Sequence, residues 1–234
     1  MAAQQSDLNS GGVLILAMAA WNVLDSAGVS TGLARNGCCG RPLISKGLLA
    51  EARKTIQENT DLLYPIAQRG QKLIFCEPSC LSAVREDAPS LLRGDDQRRA
   101  LVVAEAAVLF EEFAAELDLK IPAGSRKVLL HGHCHQKAMG LLAPAKALLG
   151  KVATVTDPDA GCCGMAGSFG YTTDHFEVSR QIAERRLMPA VRNREHGTAI
   201  LASGMSCRHQ IQDFAGETAL HPAVYLQSLL RGSA

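Results

Sequence analysis

The sequence has little net charge and few aromatic residues. Its 24 Lys and Arg side chains are balanced by 23 Asp and Glu, which leaves a formal net charge of +1. This balance excludes a basic arm for nucleic acid, a polybasic patch for a membrane surface and an acidic tail. Aromatic residues make up 4% of the 234 residues and hydrophobic residues 47%, so Ala, Val, Leu and Ile must build the core. Such an apolar content is not that of a disordered chain.

Signals for export and for membrane insertion are also missing. The first ten residues, MAAQQSDLNS, contain no Lys or Arg and so lack the basic segment of a secretory signal. The apolar run over 12–21 has about half of the ~20 residues that a membrane span requires. We therefore predict a cytoplasmic protein with no membrane span of its own, with attachment to the inner face of the membrane through partners as the alternative. In a reducing compartment, cysteines are expected to bind metals or carry out redox chemistry rather than form disulfides.

Nucleotide-binding and catalytic motifs are absent as well. The glycine-rich stretch 161–171 (GCCGMAGSFGY) has no following Lys at Walker spacing and contains no GxGxxG. Ser168 in this stretch is not part of a GxSxG nucleophile elbow. The chain has no flavin or nicotinamide motif and no CxxCxxCxxxCP ferredoxin segment. We therefore expect that the chain alone oxidises no organic substrate, and that the glycine-rich loop closes over a metal site.

Apolar segments of strand length alternate with longer amphipathic ones. The residues 12–25 fit either one helix or a buried strand followed by a short helix. Pro65 is expected to kink or end the helix over 48–68, and Pro189 to end the helix over 176–188. Strands are expected over 29–33, 72–76, 128–130, 152–156 and 198–202, and further helices over 99–117, 144–149 and 221–230. This alternation predicts an α/β fold with parallel sheets.

The sequence contains an internal repeat. Cys-Cys-Gly occurs at 38–40 and again at 162–164, and each copy is followed by a helix, a strand and a turn with one more cysteine. That cysteine is Cys80 in the first copy and Cys207 in the second, at nearly equal separations. We predict two pseudo-symmetric halves with Rossmann-like parallel-sheet cores, over 12–122 and 123–234, preceded by a frayed terminus over 1–11.

The eight cysteines are the outstanding feature of the composition. Because the carboxyl ends of parallel strands meet at one edge of a sheet, cysteines that follow the predicted strands converge there. Thiolates ligate iron–sulfur clusters and zinc, and two adjacent cysteines suit a cluster with several corners better than one tetrahedral zinc. The predicted ligands in the second half are Cys134, Cys162, Cys163 and Cys207. The first half has a depleted set, Cys38, Cys39 and Cys80, while Cys76 fits a ligand or a buried core cysteine equally well.

Histidines and cations surround these cysteines. His131, His133 and His135 alternate around Cys134, so on an extended segment all three would share one face. They would then either bond to loop backbone or complete a zinc site, with Cys134, His133 or His135 and two further cysteines. Cationic side chains would offset thiolate charge. The residues predicted to support the cofactor are Lys137, His133, His135, Ser168, Arg208 and His209. A zinc-binding structural or assembly module and a thiol–disulfide protein using Cys162 and Cys163 are the alternatives to a cluster.

Four motifs resemble a known family. EPSC at 77–80, HGHCHQKA at 131–138, GCCGMAGSFGY at 161–171 and SGMSCRHQI at 203–211 resemble the cysteine-rich CCG domain. That domain occurs in heterodisulfide reductase B subunits, in iron–sulfur subunits of glycolate and lactate oxidases, and in anaerobic glycerol-3-phosphate dehydrogenase C subunits. The sequences of these four motifs are most similar to the C-terminal part of large FAD-linked oxidases with iron–sulfur centres.

The resemblance implies electron transfer. Members pass electrons from a flavin, where a 2-hydroxy acid is oxidised, to a quinone or another acceptor, and a C…CC…CxxC pattern binds a noncubane [4Fe-4S] cluster. Here the four second-half cysteines match, while the fifth position falls on Gln210. In the first half, no cysteine matches the first position of this pattern, and its last position falls near Ala83. The resemblance thus implies one cluster, in the second half or shared between halves. FAD would be on a flavoprotein partner or an upstream domain, so the chain is expected to be a separate subunit or a fragment.

Overall fold

Two small parallel sheets organise the chain, and helices connect their strands. The computed structural model describes residues 12–122 and 124–232, so the predicted frayed terminus lies outside the described residues. The chain divides into two compact units, the first ending at Phe113 and the second beginning at Ala114. The predicted α/β class with parallel sheets is confirmed. The domain ranges 12–122 and 123–234, the pseudo-symmetry and the Rossmann-like character of the halves stay predictions.

The first unit has a two-stranded parallel sheet in which Ile74 pairs with Val108. A single turn of π-helix, Ala83–Asp87, lies between a helix that ends at Ser82 and one that begins at Ala88. The elements in chain order are α1 (Gly12–Ser26), α2 (Arg41–Ser45), α3 (Leu49–Gln68), β1 (Leu73–Phe75), α4 (Pro78–Ser82), α5 (Ala88–Leu91), α6 (Gly94–Ala106), β2 (Ala107–Leu109) and α7 (Phe110–Ala115).

Two sequence predictions in this unit are wrong, those for residues 29–33 and 99–117. Residues 29–33 form no strand. Of the two effects expected of Pro65, it does not end α3, which continues to Gln68, and the kink stays a prediction. The helix predicted over 99–117 is interrupted by β2, whose Ala107 and Leu109 are fully buried. A short apolar run fits a strand and a helix equally well, so periodicity alone could not reveal this strand.

The second unit has a three-stranded parallel sheet in the order β4 (Thr154–Thr156), β3 (Lys127–His131) and β5 (Ala199–Ala202). Leu129 of the central strand lies opposite Thr156 on one side and Ile200 on the other. The elements are β3 (Lys127–His131), α8 (Cys134–Ala138), α9 (Leu142–Gly150), β4 (Thr154–Thr156), a 3-10 turn (Phe169–Tyr171), α10 (Thr173–Glu184), α11 (Leu187–Arg192), β5 (Ala199–Ala202), α12 (Met205–Ala215) and α13 (Pro222–Leu230).

The helix predicted over 176–188 is in fact two helices. α10 ends at Glu184, and Pro189 lies in the first turn of α11 rather than after a helix end. The first turn tolerates proline because its backbone N–H groups have no partner within the helix. Over the described ranges, no helix has the length and apolar character needed to cross a membrane.

We expect Leu201→Ala to lower the free energy of unfolding by about 2–5 kcal/mol, because a buried leucine loses both its transfer energy and its packing. Leu201 lies in the central part of β5 and is fully buried. The matched control is Leu101→Ala, since Leu101 is 54% exposed. Urea denaturation of both variants measures the difference, and equal losses would contradict the assignment of β5 to the core.

Candidate metal centre

The carboxyl ends of β3, β4 and β5 bring together four cysteines of the second unit. β3 ends at His131 and is followed after two residues by Cys134, while β5 ends at Ala202 and is followed by the helix that carries Cys207. The loop after β4 carries Cys162 and Cys163. Because the three strands are parallel, these connections leave the sheet at the same edge.

Two of these cysteines lie at helix starts. Cys134 is the first residue of α8, and Cys207 is the third residue of α12. The unpaired N–H groups of a first helical turn favour a thiolate over a thiol. In the first unit, Cys80 is likewise the third residue of its helix, α4.

The Cys-Cys-Gly turn depends on its glycine. The N–H of Gly164 donates to Sγ of Cys162 at 3.3 Å. Gly164 has φ +97°, and a Cβ there would lie 2.2 Å from the carbonyl oxygen of Ser179. In the first unit Gly40 has φ +81° and donates to Sγ of Cys38 at 3.4 Å. Both turns therefore direct one backbone donor to the sulfur of the first cysteine.

The four thiols are linked in a chain of hydrogen bonds, Cys134 with Cys162, Cys162 with Cys163, and Cys163 with Cys207. The hydrogen bonds with Cys134 and Cys163 lower the pKa of Cys162 to about 2, and the bond with Cys162 raises the pKa of Cys134. The hydrogen bonds to Cys162 and Cys207, with burial, raise the pKa of Cys163. The hydrogen bond from Cys163 lowers the pKa of Cys207, and nearby His131 lowers it further. Four sulfurs linked in this way form a group suited to a metal cation.

His131 joins this sulfur group from the end of β3. Ligand atoms of His131, Cys163 and Cys207 all lie within 4.8 Å of one another. The His131 side chain is buried, and among the described residues neither ring nitrogen has a hydrogen-bond partner. A buried donor and acceptor left unpaired in this way call for an explanation, such as a bound metal.

His133 and His135 do not continue the strand that ends at His131. The predicted extended segment ends at His131, and His133 is the N-cap of α8, where its Nδ1 accepts the N–H of His135 at 3.1 Å. The His133 ring packs directly on Gly204, where a Cβ would lie 2.1 Å from its Cδ2. The His135 ring, which is half-buried, stacks on that of His133 with centroids 5.5 Å apart. The extended segment on which the expectation of one shared face rested therefore ends at His131, because the chain turns into a helix at Cys134.

Lys137 places a buried ammonium group close to the same turn. The aliphatic part of the Lys137 side chain packs against Gly132. A Cβ added to Gly132 would lie 2.9 Å from Cε of Lys137. Its Nζ is buried without a hydrogen-bond acceptor over the described ranges. Lys137 also lowers the pKa of Asp157, although burial of that carboxyl opposes the shift and Lys146 contributes more to it. A buried cation without an acceptor suits a neighbouring anionic group.

The remaining predicted support residues have other contacts. Arg208 donates from one guanidinium nitrogen to the carbonyl oxygens of Ala202 and Ser203 at 3.0 and 2.8 Å, so it holds the end of β5. His209 is exposed, and its Nδ1 lies 3.1 Å from the Tyr171 hydroxyl. Ser168 is exposed and precedes the 3-10 turn. Their roles at a cofactor stay predictions.

The first unit has a smaller sulfur group. Sγ of Cys39 lies 3.2 Å from Sγ of Cys80, and both side chains are buried. The hydrogen bond from Cys38 lowers the pKa of Cys39, but the hydrogen bond with Cys80 and burial together raise it to about 12. In the described part of this unit, no three donor atoms of His, Cys, Asp or Glu lie as close together as those of His131, Cys163 and Cys207. The first-half ligand set of Cys38, Cys39 and Cys80 stays a prediction.

Gln210 takes the place expected of a fifth cysteine but lies in a different network. Its amide is buried and donates to Oγ of Ser179 at 2.8 Å. It also lies beside Gly164, where a Cβ would be 3.1 Å from its Nε2. Gln210 therefore fixes α12 to α10 and to the Cys-Cys-Gly turn.

The sequence interpretation left His131 out of the predicted site. The available signal was its position, since it ends a buried parallel strand two residues before the turn that holds Cys134.

An open cavity of about 440 Å³ borders Cys162 and is lined also by Arg185 and Arg186. Cys134 is exposed. The sulfur group thus lies at the surface on one side and in the core on the other.

Several known proteins are similar in sequence to this chain. The C subunit of anaerobic glycerol-3-phosphate dehydrogenase from Escherichia coli (strain K12) is 26% identical over 204 residues, which cover 85% of this chain and 50% of that protein. D-2-hydroxyglutarate dehydrogenase of the same strain is 26% identical over 189 residues, covering 80% of this chain and 18% of that protein. Lactate utilization protein A of Oceanobacillus iheyensis is 23% identical over 159 residues, covering 64% of this chain and 62% of that protein.

The chain spans half the length of the first of these relatives. Residues 128–212 match the family described as the cysteine-rich domain, CCG. The matched stretch contains the four cysteines of the second unit and His131. The resemblance to the CCG cysteine-rich domain is therefore confirmed for residues 128–212.

Proposed function

We propose that this chain is an iron–sulfur electron-transfer component of an FAD-linked 2-hydroxy-acid dehydrogenase. Cys134, Cys162, Cys163 and Cys207 would hold a [4Fe-4S] cluster, which supplies reversible one-electron redox chemistry when bound. The observation that carries the proposal is the convergence of four thiols at the carboxyl edge of β4-β3-β5, inside the CCG match.

The donor chemistry of this group fits a cluster. Four sulfurs and one imidazole exceed the four donors that a tetrahedral zinc needs, and two of the sulfurs come from adjacent residues. The buried ammonium of Lys137 supports an anionic group near the turn at Gly132. A cluster bound by thiolates carries negative charge, so a nearby cation stabilises it and raises its potential.

The surface side of the centre suits electron transfer to a partner. Cys134 is exposed and Cys162 borders an open cavity, so a cluster bound there would lie close to the protein surface. The relatives named above are dehydrogenases or a lactate utilization protein, which supports a hydroxy compound as the electron source. We propose that a flavoprotein subunit or domain carries the FAD, and that electrons pass on to a quinone or another carrier.

The first unit would then be a second copy of the same module with a depleted ligand set. Cys80 and Cys207 occupy the same position in their helices, and both Cys-Cys-Gly turns direct a glycine N–H to sulfur. These shared local features support two related halves with Rossmann-like cores. We propose that the cluster lies in the second half.

The test is anaerobic purification, reconstitution with ferrous iron and sulfide, and measurement of bound iron, acid-labile sulfide and zinc. We expect iron and sulfide in equal amounts, visible absorbance, and an EPR signal on reduction. A colourless protein without sulfide after reconstitution would overturn the proposal.

A zinc-binding structural module is the second candidate. One observation favours it, because the close group of His131, Cys163 and Cys207 is a usual donor set for zinc. It predicts zinc without sulfide, and loss of stability when a chelator removes the metal. The same metal analysis decides between the two.

A further inference from the structure

His131 differs from the other buried histidines of the second unit. His133 and His221 are also buried, but each caps a helix. Nδ1 of His133 accepts the N–H of His135 at 3.1 Å, and Nδ1 of His221 accepts the N–H of Ala223 at 3.0 Å. His131 is only 1% exposed, and within the described part of the chain both of its ring nitrogens lack a hydrogen-bond partner. The polar atoms that this imidazole does approach are the sulfurs of Cys163 and Cys207.

Leaving such a group unpaired is costly. Each buried polar group without a partner costs about 1–3 kcal/mol, because it has lost its hydrogen bonds to water. Replacement by leucine or valine would avoid that cost at the end of an otherwise apolar strand. A ligand bound to one ring nitrogen would offset this cost, and it would explain why position 131 holds a histidine rather than an apolar residue.

The geometry identifies the ligand as a metal. One ring nitrogen of His131 lies within 4.8 Å of Sγ of both Cys163 and Cys207, and these two sulfurs also lie within 4.8 Å of each other. All three side chains are buried, so no bulk water competes for the space between them. Two sulfurs and one imidazole nitrogen this close together have the composition of a metal-ligand group.

The inference also accounts for the cysteine that the repeat lacks. The C…CC…CxxC pattern places its last thiol at Gln210, whose amide instead donates to Ser179 at 2.8 Å. Because Gln210 is fixed there, the centre lacks one donor on the α12 side. His131 approaches from the end of β3 and lies beside Cys207, so it is placed to supply a donor from the neighbouring strand.

We propose that His131 is a direct ligand to an iron of the cluster, together with Cys163 and Cys207. This inference rests on the proposed function, since it requires that the centre holds iron. An imidazole is a neutral ligand where a thiolate would bring a negative charge, so His131 raises the reduction potential relative to an all-thiolate centre.

The test is nitrogen hyperfine spectroscopy on the reduced, reconstituted full chain. Protein with natural histidine is compared with protein labelled with ¹⁵N only in histidine. A strong nitrogen coupling that changes with the label is expected, and it should vanish in His131→Ala and persist in His221→Asn. His221 is the matched control because its imidazole is buried in the same unit and Asn can still cap α13.

A second variant keeps the inference testable if His131→Ala assembles poorly. His131→Cys replaces nitrogen with sulfur, so we expect full iron and sulfide content, no histidine coupling and a lower reduction potential. An unchanged coupling in His131→Cys would overturn the inference. A wild-type protein that binds iron and sulfide but has no histidine coupling would overturn it while leaving the proposed function intact. A wild-type protein with no iron or sulfide would overturn the proposed function itself.

Discussion

Cys162→Ser is expected to lower bound iron and sulfide by at least about tenfold after anaerobic reconstitution. Outer-shell substitutions already lower metal affinity by about 10–100-fold, and loss of a thiolate removes a ligand itself. The hydrogen bond with Cys134 lowers the pKa of Cys162, which favours its thiolate. The N–H of Gly164 also donates to the Cys162 sulfur. It is only half-buried, so serine can replace it without a cavity in the core.

Cys76→Ser and Cys39→Ser are the controls for this experiment. Cys76 follows β1 in the first unit, outside the group of the second unit, and its substitution should leave iron and sulfide unchanged. Cys39→Ser tests the depleted half, and unchanged iron content would agree with one cluster in the second half. Iron retained in Cys162→Ser at the wild-type level would contradict the proposed ligand set.

Gly164→Ala is expected to lower the free energy of unfolding by about 4 kcal/mol, from a steric overlap and a strained backbone together. A Cβ at this position would lie 2.2 Å from the Ser179 carbonyl oxygen, which is backbone and cannot rotate away. Gly164 also has φ +97°, a conformation that alanine rarely adopts. The movement needed to relieve the overlap would shift Cys162 and Cys163, so metal uptake should fall as well.

Gly161→Ala separates the two causes. Gly161 lies in the same loop with φ +66°, but a Cβ there meets nothing within 4 Å. This substitution should therefore lower the free energy of unfolding through backbone strain alone, by about 1–2 kcal/mol. Denaturant unfolding of both variants in the metal-free state gives the comparison. Equal losses would mean that the contact between Gly164 and Ser179 does not constrain the loop.

The sequence predicted the sheet of the second unit well because its strands are apolar and lie between glycine, proline or polar turns. Residues 128–130 and 198–202 correspond closely to β3 and β5. It failed at β2, where an apolar stretch inside a long amphipathic segment was read as helix. Leu101, an apolar residue of that segment, is 54% exposed. The strand exists because Val108 pairs with Ile74, a contact between segments distant in sequence.

The histidines show the same limit at the site. Alternation around Cys134 indicated one shared face, but α8 begins at Cys134, so the extended segment that this face requires ends before His135. His133 is a helix cap, while His131 stays at the strand end and faces the thiols. Periodicity describes one regular element, and here the element changes within five residues.

By itself, the sequence determined the α/β class, the two Cys-Cys-Gly turns and the four cysteines that follow strands, since residue type and spacing along the chain encode these features. Only the tertiary structure decided which donors meet. The parallel order β4-β3-β5 brings Cys134, Cys162, Cys163 and Cys207 to one edge, and burial leaves His131 facing the sulfurs without a hydrogen-bond partner among the described residues. Convergence of distant residues depends on strand order and packing, which local sequence patterns do not specify.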